Sequence, residues 1–83
     1  MSDESIAAQI ERLVAEEHDL RRREEDDGDD EALAADRERL ETVKVELDRC
    51  WDLVRRRRAL REAGGDPDDA DVRDARTVER YLQ

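Results

Sequence analysis

The most constraining feature of this chain is a row of apolar residues spaced seven apart: Leu33, Leu40, Leu47 and Val54. Val43 and Cys50 each follow one of these residues by three positions. Alternating steps of three and four place all six on one face of a helix, the pattern of a coiled coil. Because 51% of the residues are charged and only 36% are hydrophobic, this row must supply most of the packing. The sequence therefore predicts an all-α protein.

A second apolar row precedes the first, with a different heptad phase: Ile6, Ile10, Leu13 and Leu20. One continuous helix is the alternative, since a single interior glycine costs only about 1 kcal/mol. The change of phase favours a turn near Gly28, the first glycine of the chain. We therefore predict an antiparallel helical hairpin, a coiled coil with helix 1 over about residues 3–26 and helix 2 over about 31–62.

In such a hairpin, the numbers of facing residues sum to about 56. Ile6 then lies near Cys50, and Leu13 lies near Val43. Since helix 2 is longer at about 1.5 Å per residue, we expect everything after about Leu53 to overhang the end of helix 1.

The last segment opens with Asp66, Pro67 and two further aspartates, a pattern typical of a helix start. It predicts a short C-terminal helix over about residues 67–82, packed on the overhang or on a second copy. We treat residues 1–83 as one domain. Because a domain of this size gains only about 3–5 kcal/mol from its core, we expect two hairpins to pair into a dimeric four-helix bundle.

No arrangement of residues indicates catalysis or metal binding. If Gly28 took the sixth position of an EF-hand loop, Arg23 and Ala34 would fill positions that require acids. His18 is the only histidine and is expected at the surface. Cys50 is the only cysteine and is interpreted as a small buried hydrophobic residue. We expect no enzymatic activity, no cofactor and no metal site.

Four consecutive arginines, Arg55–Arg58, give residues 52–61 a net charge of +4 within a chain of −10. Successive helical residues point about 100° apart, so the four cannot form one phosphate-binding stripe. We interpret them as partners of acids from helix 1, the tail or another chain. An acidic protein partner is the next alternative. Nucleic acid is disfavoured, because residues 1–31 carry 13 acids and four arginines.

Trp51 lies beside the apolar row, and protein interfaces are enriched in Trp, Tyr and Arg. These residues form our candidate interface: Trp51, Val54, Arg55, Arg57, Arg58 and Tyr81. Docking of the C-terminal helix within the chain would use the same residues and remains the alternative.

Residues 47–54, the arginine run and residues 64–67 together resemble a family of short actinobacterial proteins catalogued as a domain of unknown function. Residues 10–18 and 78–83 are similar to it as well. The resemblance extends over nearly the whole chain and implies a small cytoplasmic bacterial protein. It brings no activity, cofactor or site residue.

The function we expect is that of a non-enzymatic helical protein–protein interaction module, acting as a homodimer. The alternative is a nucleic-acid-linked regulator, an RNA polymerase-binding hairpin whose acidic tip would be residues 24–31. That alternative rests on analogy with bacterial transcript-cleavage factors. We expect a cytoplasmic location without membrane contact, because no stretch is long and apolar enough to span a bilayer and acids stand where a signal peptide has Lys or Arg.

Overall fold

The structure is a computed structural model that describes residues 2–25, 30–72 and 78. Helix α1 spans Asp3–Glu25, and helix α2 spans Asp30–Glu62. A single 3₁₀ turn, η1, covers Pro67–Asp69. The predicted helix ranges of about 3–26 and 31–62 differ from these bounds by one residue each. The all-α fold class is confirmed, since the described residues contain helices and turns and no strand.

Capping residues define the outer ends of both helices. At the start of α1, the Ser2 Oγ accepts a hydrogen bond of 3.1 Å from the Ser5 amide, which satisfies an amide with no partner inside the helix. At the end of α2, Gly64 has φ +80°. The Gly64 amide donates to the Arg61 carbonyl and the Gly65 amide to the Leu60 carbonyl. This is a Schellman motif, in which glycine takes the left-handed conformation without a Cβ clash.

Ion pairs along the two helices show that they run antiparallel. Near the middle of α1, Arg39 Nη2 donates to Glu16 Oε1 at 2.8 Å. Near the first turn of α1, Arg57 Nε donates to Asp3 Oδ1 at 2.8 Å. The chain therefore reverses direction between α1 and α2, and the predicted hairpin is confirmed. The predicted turn residue, Gly28, lies outside the described residues.

The interface between the two helices contains the apolar rows that the sequence indicates. Its buried residues form one cluster: Ile6, Ile10, Leu20, Leu40, Val43, Leu47, Cys50 and Leu53. Leu13 and Val54 are partly buried and pack against this cluster. Val43 is fully buried, with 0% of its surface exposed, and lies at the centre of the contact.

The prediction that α2 extends beyond α1 from about Leu53 onward is wrong, because residues after Leu53 still lie beside α1. Val54 and Arg58 line the same groove as Asp3 and Ala7, and Arg57 bonds to Asp3. Cα–Cβ bonds in a helix tilt toward its N-terminus, so side chains near the end of α2 reach back beside the first turn of α1. Arg57 and Arg58 therefore lie beside α1 rather than extending beyond it.

The predicted C-terminal helix does not start at Pro67. Asp66 Oδ1 caps η1 by accepting from the Asp68 amide at 2.9 Å, but the backbone at Ala70 is extended, with φ −86° and ψ 125°. Residues 70–72 are not helical, because Arg56 of α2 binds the Asp71 carbonyl and holds this stretch along the hairpin. Val78 is helical and buried. The other residues of the predicted 67–82 helix beyond residue 72 lie outside the described part of the chain.

None of the described helices combines the length and the apolar content that are needed to cross a membrane.

Val43→Ala tests the central contact, with Val45→Ala as the matched control two residues away. Val43 is fully buried, whereas Val45 is partly exposed. We expect Val43→Ala to lower the free energy of unfolding by about 2 kcal/mol, since it removes two buried methyl groups and leaves a cavity. Val45→Ala should change it by less than about 0.5 kcal/mol. Urea unfolding followed by circular dichroism measures both, and equal losses would contradict the packing described above.

Candidate protein-interaction surface

The segment after α2 covers one of the two grooves of the hairpin. Ala70 packs against the core cluster. Val72 lines a cavity of about 260 Å³ together with Ile6, Cys50 and Leu53. We refer to this side as the closed groove and to residues 66–72 as the strap.

Arg57 fastens the strap to both helices. Its guanidinium donates to Asp3 Oδ1 at 2.8 Å, to Asp68 Oδ1 at 3.0 Å and to the Pro67 carbonyl at 3.1 Å. Arg57 is only 5% exposed. A buried cation requires this degree of hydrogen bonding to offset its lost hydration. One side chain of α2 thus joins α1 and the strap.

Arg56 provides a second attachment. It donates to the Asp71 carbonyl, and its Nε donates to the buried Asp52 Oδ2 at 3.0 Å. Two neighbouring residues of the arginine run therefore hold the strap at points four residues apart. Both interactions are charge-assisted, which makes them stronger than neutral hydrogen bonds.

These contacts shift the ionisation of the groups involved. The hydrogen bond from Arg57, together with the charges of Arg61 and Arg57, holds the pKa of Asp3 below its ordinary value of 3.8. The same hydrogen bond and the one to Asp68 raise the pKa of Arg57. Asp3 is therefore ionised at neutral pH, and its charge contributes to the folded state.

The opposite groove is not covered by the strap. It has a volume of about 320 Å³, and both helices line it: Asp3, Ala7, Ile10, Trp51, Val54, Arg58 and Arg61. Trp51 is 48% exposed, a large fraction for the largest side chain of the protein. We call this the open groove.

Helical spacing explains which residues line the open groove. Asp3, Ala7 and Ile10 follow one another by four and three residues on α1. Trp51, Val54, Arg58 and Arg61 are separated by three, four and three residues on α2. Such positions share one face of a helix, so the groove combines two parallel stripes of side chains.

The structure brings three of the six candidate interface residues together, namely Trp51, Val54 and Arg58. Arg55 is exposed, and its Nη2 lies 3.9 Å from Asp52 Oδ1. Arg57 is buried within the monomer, so its assignment to an exposed surface needs correction. Its position on the core-facing side of α2 is the physical reason. Tyr81 lies outside the described residues.

Four residues of the open groove were missed from the sequence: Asp3, Ala7, Ile10 and Arg61. The spacing of Asp3, Ala7 and Ile10 along α1, combined with the antiparallel register, could have predicted them as groove residues. The interpretation of the arginine run as partner to acids of helix 1 and the tail is confirmed for Arg57. Arg58, by contrast, forms no ion pair with any residue in the described ranges.

Cys50 and His18 lie where the sequence predicts them, one buried and the other at the surface. Cys50 is buried, and burial raises the pKa of its thiol, so the thiol stays protonated at neutral pH. His18 is exposed on α1. Within residues 2–25, 30–72 and 78, no three His, Cys, Asp or Glu side chains converge as metal ligands do. The open groove offers an indole, aliphatic groups and guanidinium groups, which suit it to binding.

Asp3→Asn and Asp68→Asn test the attachment of the strap, with Asp69→Asn as the control in the same turn. The first two remove carboxylate partners of Arg57 and should lower the thermal midpoint more than the control, because a buried cation loses an acceptor of full charge. Differential scanning calorimetry at neutral pH measures this order. A control variant that loses as much stability as the other two would contradict it.

The Asp3 effect should also depend on pH. Since the pKa of Asp3 is lowered by folding, its stabilising contribution is present above its ordinary value of 3.8 and is lost as the pH falls through the lowered pKa. The difference in midpoint between the wild type and Asp3→Asn should therefore shrink below about pH 3.8. A difference that is independent of pH would contradict the ion pair.

Comparison with known proteins identifies the family of this chain. Residues 2–83 match the family model described as Protein of unknown function (DUF2630). The chain is 46% identical over 80 residues to the Uncharacterized protein Rv0898c of Mycobacterium tuberculosis (strain H37Rv) and to the Uncharacterized protein Mb0922c of Mycobacterium bovis. Each alignment covers 96% of this chain and 90% of the relative. No solved structure matches the chain at a significant level. With the family model matching almost its entire length, the chain belongs to the DUF2630 family.

Proposed function

We propose that this protein is a cytoplasmic, non-enzymatic helical interaction module that acts as a homodimer. In the homodimer, the hairpins of the two copies pack together through their open grooves and form a four-helix bundle. The observation that carries the proposal is that the strap covers only one of the two grooves. In the other groove, Trp51 remains 48% exposed.

The dimensions of the hairpin support a second layer on the open groove. The protein measures 52 × 25 × 15 Å, so it is thin in one direction. Stable domains bury their apolar faces between at least two layers of secondary structure. A face 52 Å long and 25 Å wide also has room for the roughly 800 Å² per partner that specific interfaces bury.

The composition of the open groove supports a protein partner. Trp and Arg are the residues most enriched among those that dominate binding energy, and Trp51 and Arg58 lie in the same groove. Ile10 and Val54 add an apolar base beneath them. Trp51 still has about half of its surface to bury, and aromatic side chains of this size dominate interface energetics.

Self-association would also compensate for the small core. Among the described residues, the buried cluster contains eight members, and a domain of this size gains only about 3–5 kcal/mol from its core. A partner that binds only the folded hairpin increases its stability by mass action. In the proposed homodimer, a second copy of the chain is this stabilising partner.

Size-exclusion chromatography with light scattering tests the dimer directly. We expect a mass near twice the 9.7 kDa of the chain at micromolar concentration. Trp51, the only tryptophan, should show a blue shift of its emission as concentration rises, because the indole leaves water. Trp51→Ala should weaken the dimer by about 30-fold or more, the effect of removing a dominant interface residue of about 2 kcal/mol.

Val72→Ala is the matched control, since Val72 is 44% exposed on the side of the closed groove. It should leave the dissociation constant unchanged. A mass of one chain at high micromolar concentration, with constant Trp51 emission, would refute the homodimer. A dimer that tolerates Trp51→Ala would place the interface elsewhere.

A further inference from the structure

We infer that the two hairpins pair around a two-fold axis parallel to their helices, so that α1 of each copy lies on α2 of the other. Trp51 then packs against Ala7 of the partner subunit, and Arg58 pairs with Glu4 of the partner subunit. This inference rests on the proposed homodimer and specifies its arrangement. The competing arrangement has its axis perpendicular to the helices, which places α2 on α2 and α1 on α1.

The sizes of the groove residues favour the parallel axis. Ile6 and Cys50 line one cavity, so the adjacent Ala7 and Trp51 lie at about the same height along the hairpin. A parallel axis preserves height, and it therefore brings the Trp51 indole opposite Ala7 of the partner subunit. Ala7 is exposed and has the smallest side chain of the groove. A large side chain opposite a small one is the knob-into-hole fit of packed helices.

Charges around the open groove favour the same axis. The exposed Arg55 and Arg58 make the α2 side basic at this end. Glu4 and Glu11 each follow a groove residue, Asp3 or Ile10, by one position in the sequence. The rotation of the helix over one residue places these exposed acids along the outer edge of α1. The Asp3–Arg57 ion pair shows that arginine side chains of α2 reach the first turn of α1.

With a parallel axis, the acidic edge of α1 therefore meets the basic face of α2 in the other copy. A perpendicular axis through Trp51 brings each α2 residue opposite the residue that lies equally far on the other side of Trp51. Arg58 then meets Lys44 of the partner subunit, since each is seven residues from Trp51. On α1 the same operation brings Asp3 to Glu11 of the partner subunit. Like charges at an interface weaken binding and suppress the wrong pairing.

Charge reversal distinguishes the two arrangements. We expect Glu4→Arg and Arg58→Glu each to weaken the homodimer by about tenfold, because each places like charges together twice. An equimolar mixture of the two variants should form a heterodimer of nearly wild-type affinity, since opposite charges then face each other at both positions. Concentration series of Trp51 emission give the dissociation constants, and native mass spectrometry identifies the heterodimer.

Arg12→Glu is the matched control for Arg58→Glu. Arg12 is exposed and lies on the side of α1 away from the open groove, and its reversal changes the net charge by the same amount. We expect it to leave the dissociation constant within about twofold of the wild-type value. For Glu4→Arg, a general charge effect would strengthen a dimer of two acidic chains, so weakening indicates a specific contact.

Each other outcome has a distinct meaning. A monomeric wild type refutes the proposed homodimer itself. A wild-type dimer that Arg58→Glu strengthens supports the perpendicular axis and overturns our inference. Rescue only when both substitutions are in one chain, and not in the mixture, would show a contact within the monomer and would overturn it as well.

Discussion

The guanidinium of Arg57 is the point on which the rest of the architecture depends. It contacts the first turn of α1 through Asp3 and the strap through Asp68 and Pro67, while its own backbone belongs to α2. Three segments of the chain thus meet at one buried cation. Because an unpaired buried charge is very unfavourable, this arrangement requires all three segments to be in place together. The charged composition thereby contributes directly to the specificity of the fold.

The fixed strap makes the two sides of the hairpin different. An isolated pair of helices has two grooves of similar apolar character. Here Ala70 and Val72 occupy one of them, whereas the strap leaves the half-exposed Trp51 uncovered in the other. Single exposed hydrophobic residues are common on protein surfaces, but Trp51 shares a groove with Ile10, Val54 and Ala7. The proposed homodimer rests on this difference between the two sides.

Apolar periodicity predicted the helices and their pairing well, because a chain with few hydrophobic residues has few ways to bury them together. The heptad positions Leu40, Leu47 and Cys50 all lie in the core. The strap could not be predicted in the same way. Asp66 and Pro67 are typical of a helix start, yet the hydrogen bonds from Arg56 and Arg57 draw the following backbone into an extended path. The local preference for a helix is therefore overridden by hydrogen bonds between the strap and α2.

The arginine run shows why the surroundings of the single arginines could not be predicted from the sequence. Four consecutive charges look equivalent in the sequence, yet helical geometry gives each a different surrounding. Arg57 faces inward and binds acids of two segments, and Arg56 bonds to Asp52 and the strap. Arg58 points into the open groove beside Trp51. The same helical rotation that directs two arginines to the strap and α1 leaves Arg58 in the open groove, where the proposed homodimer would use it.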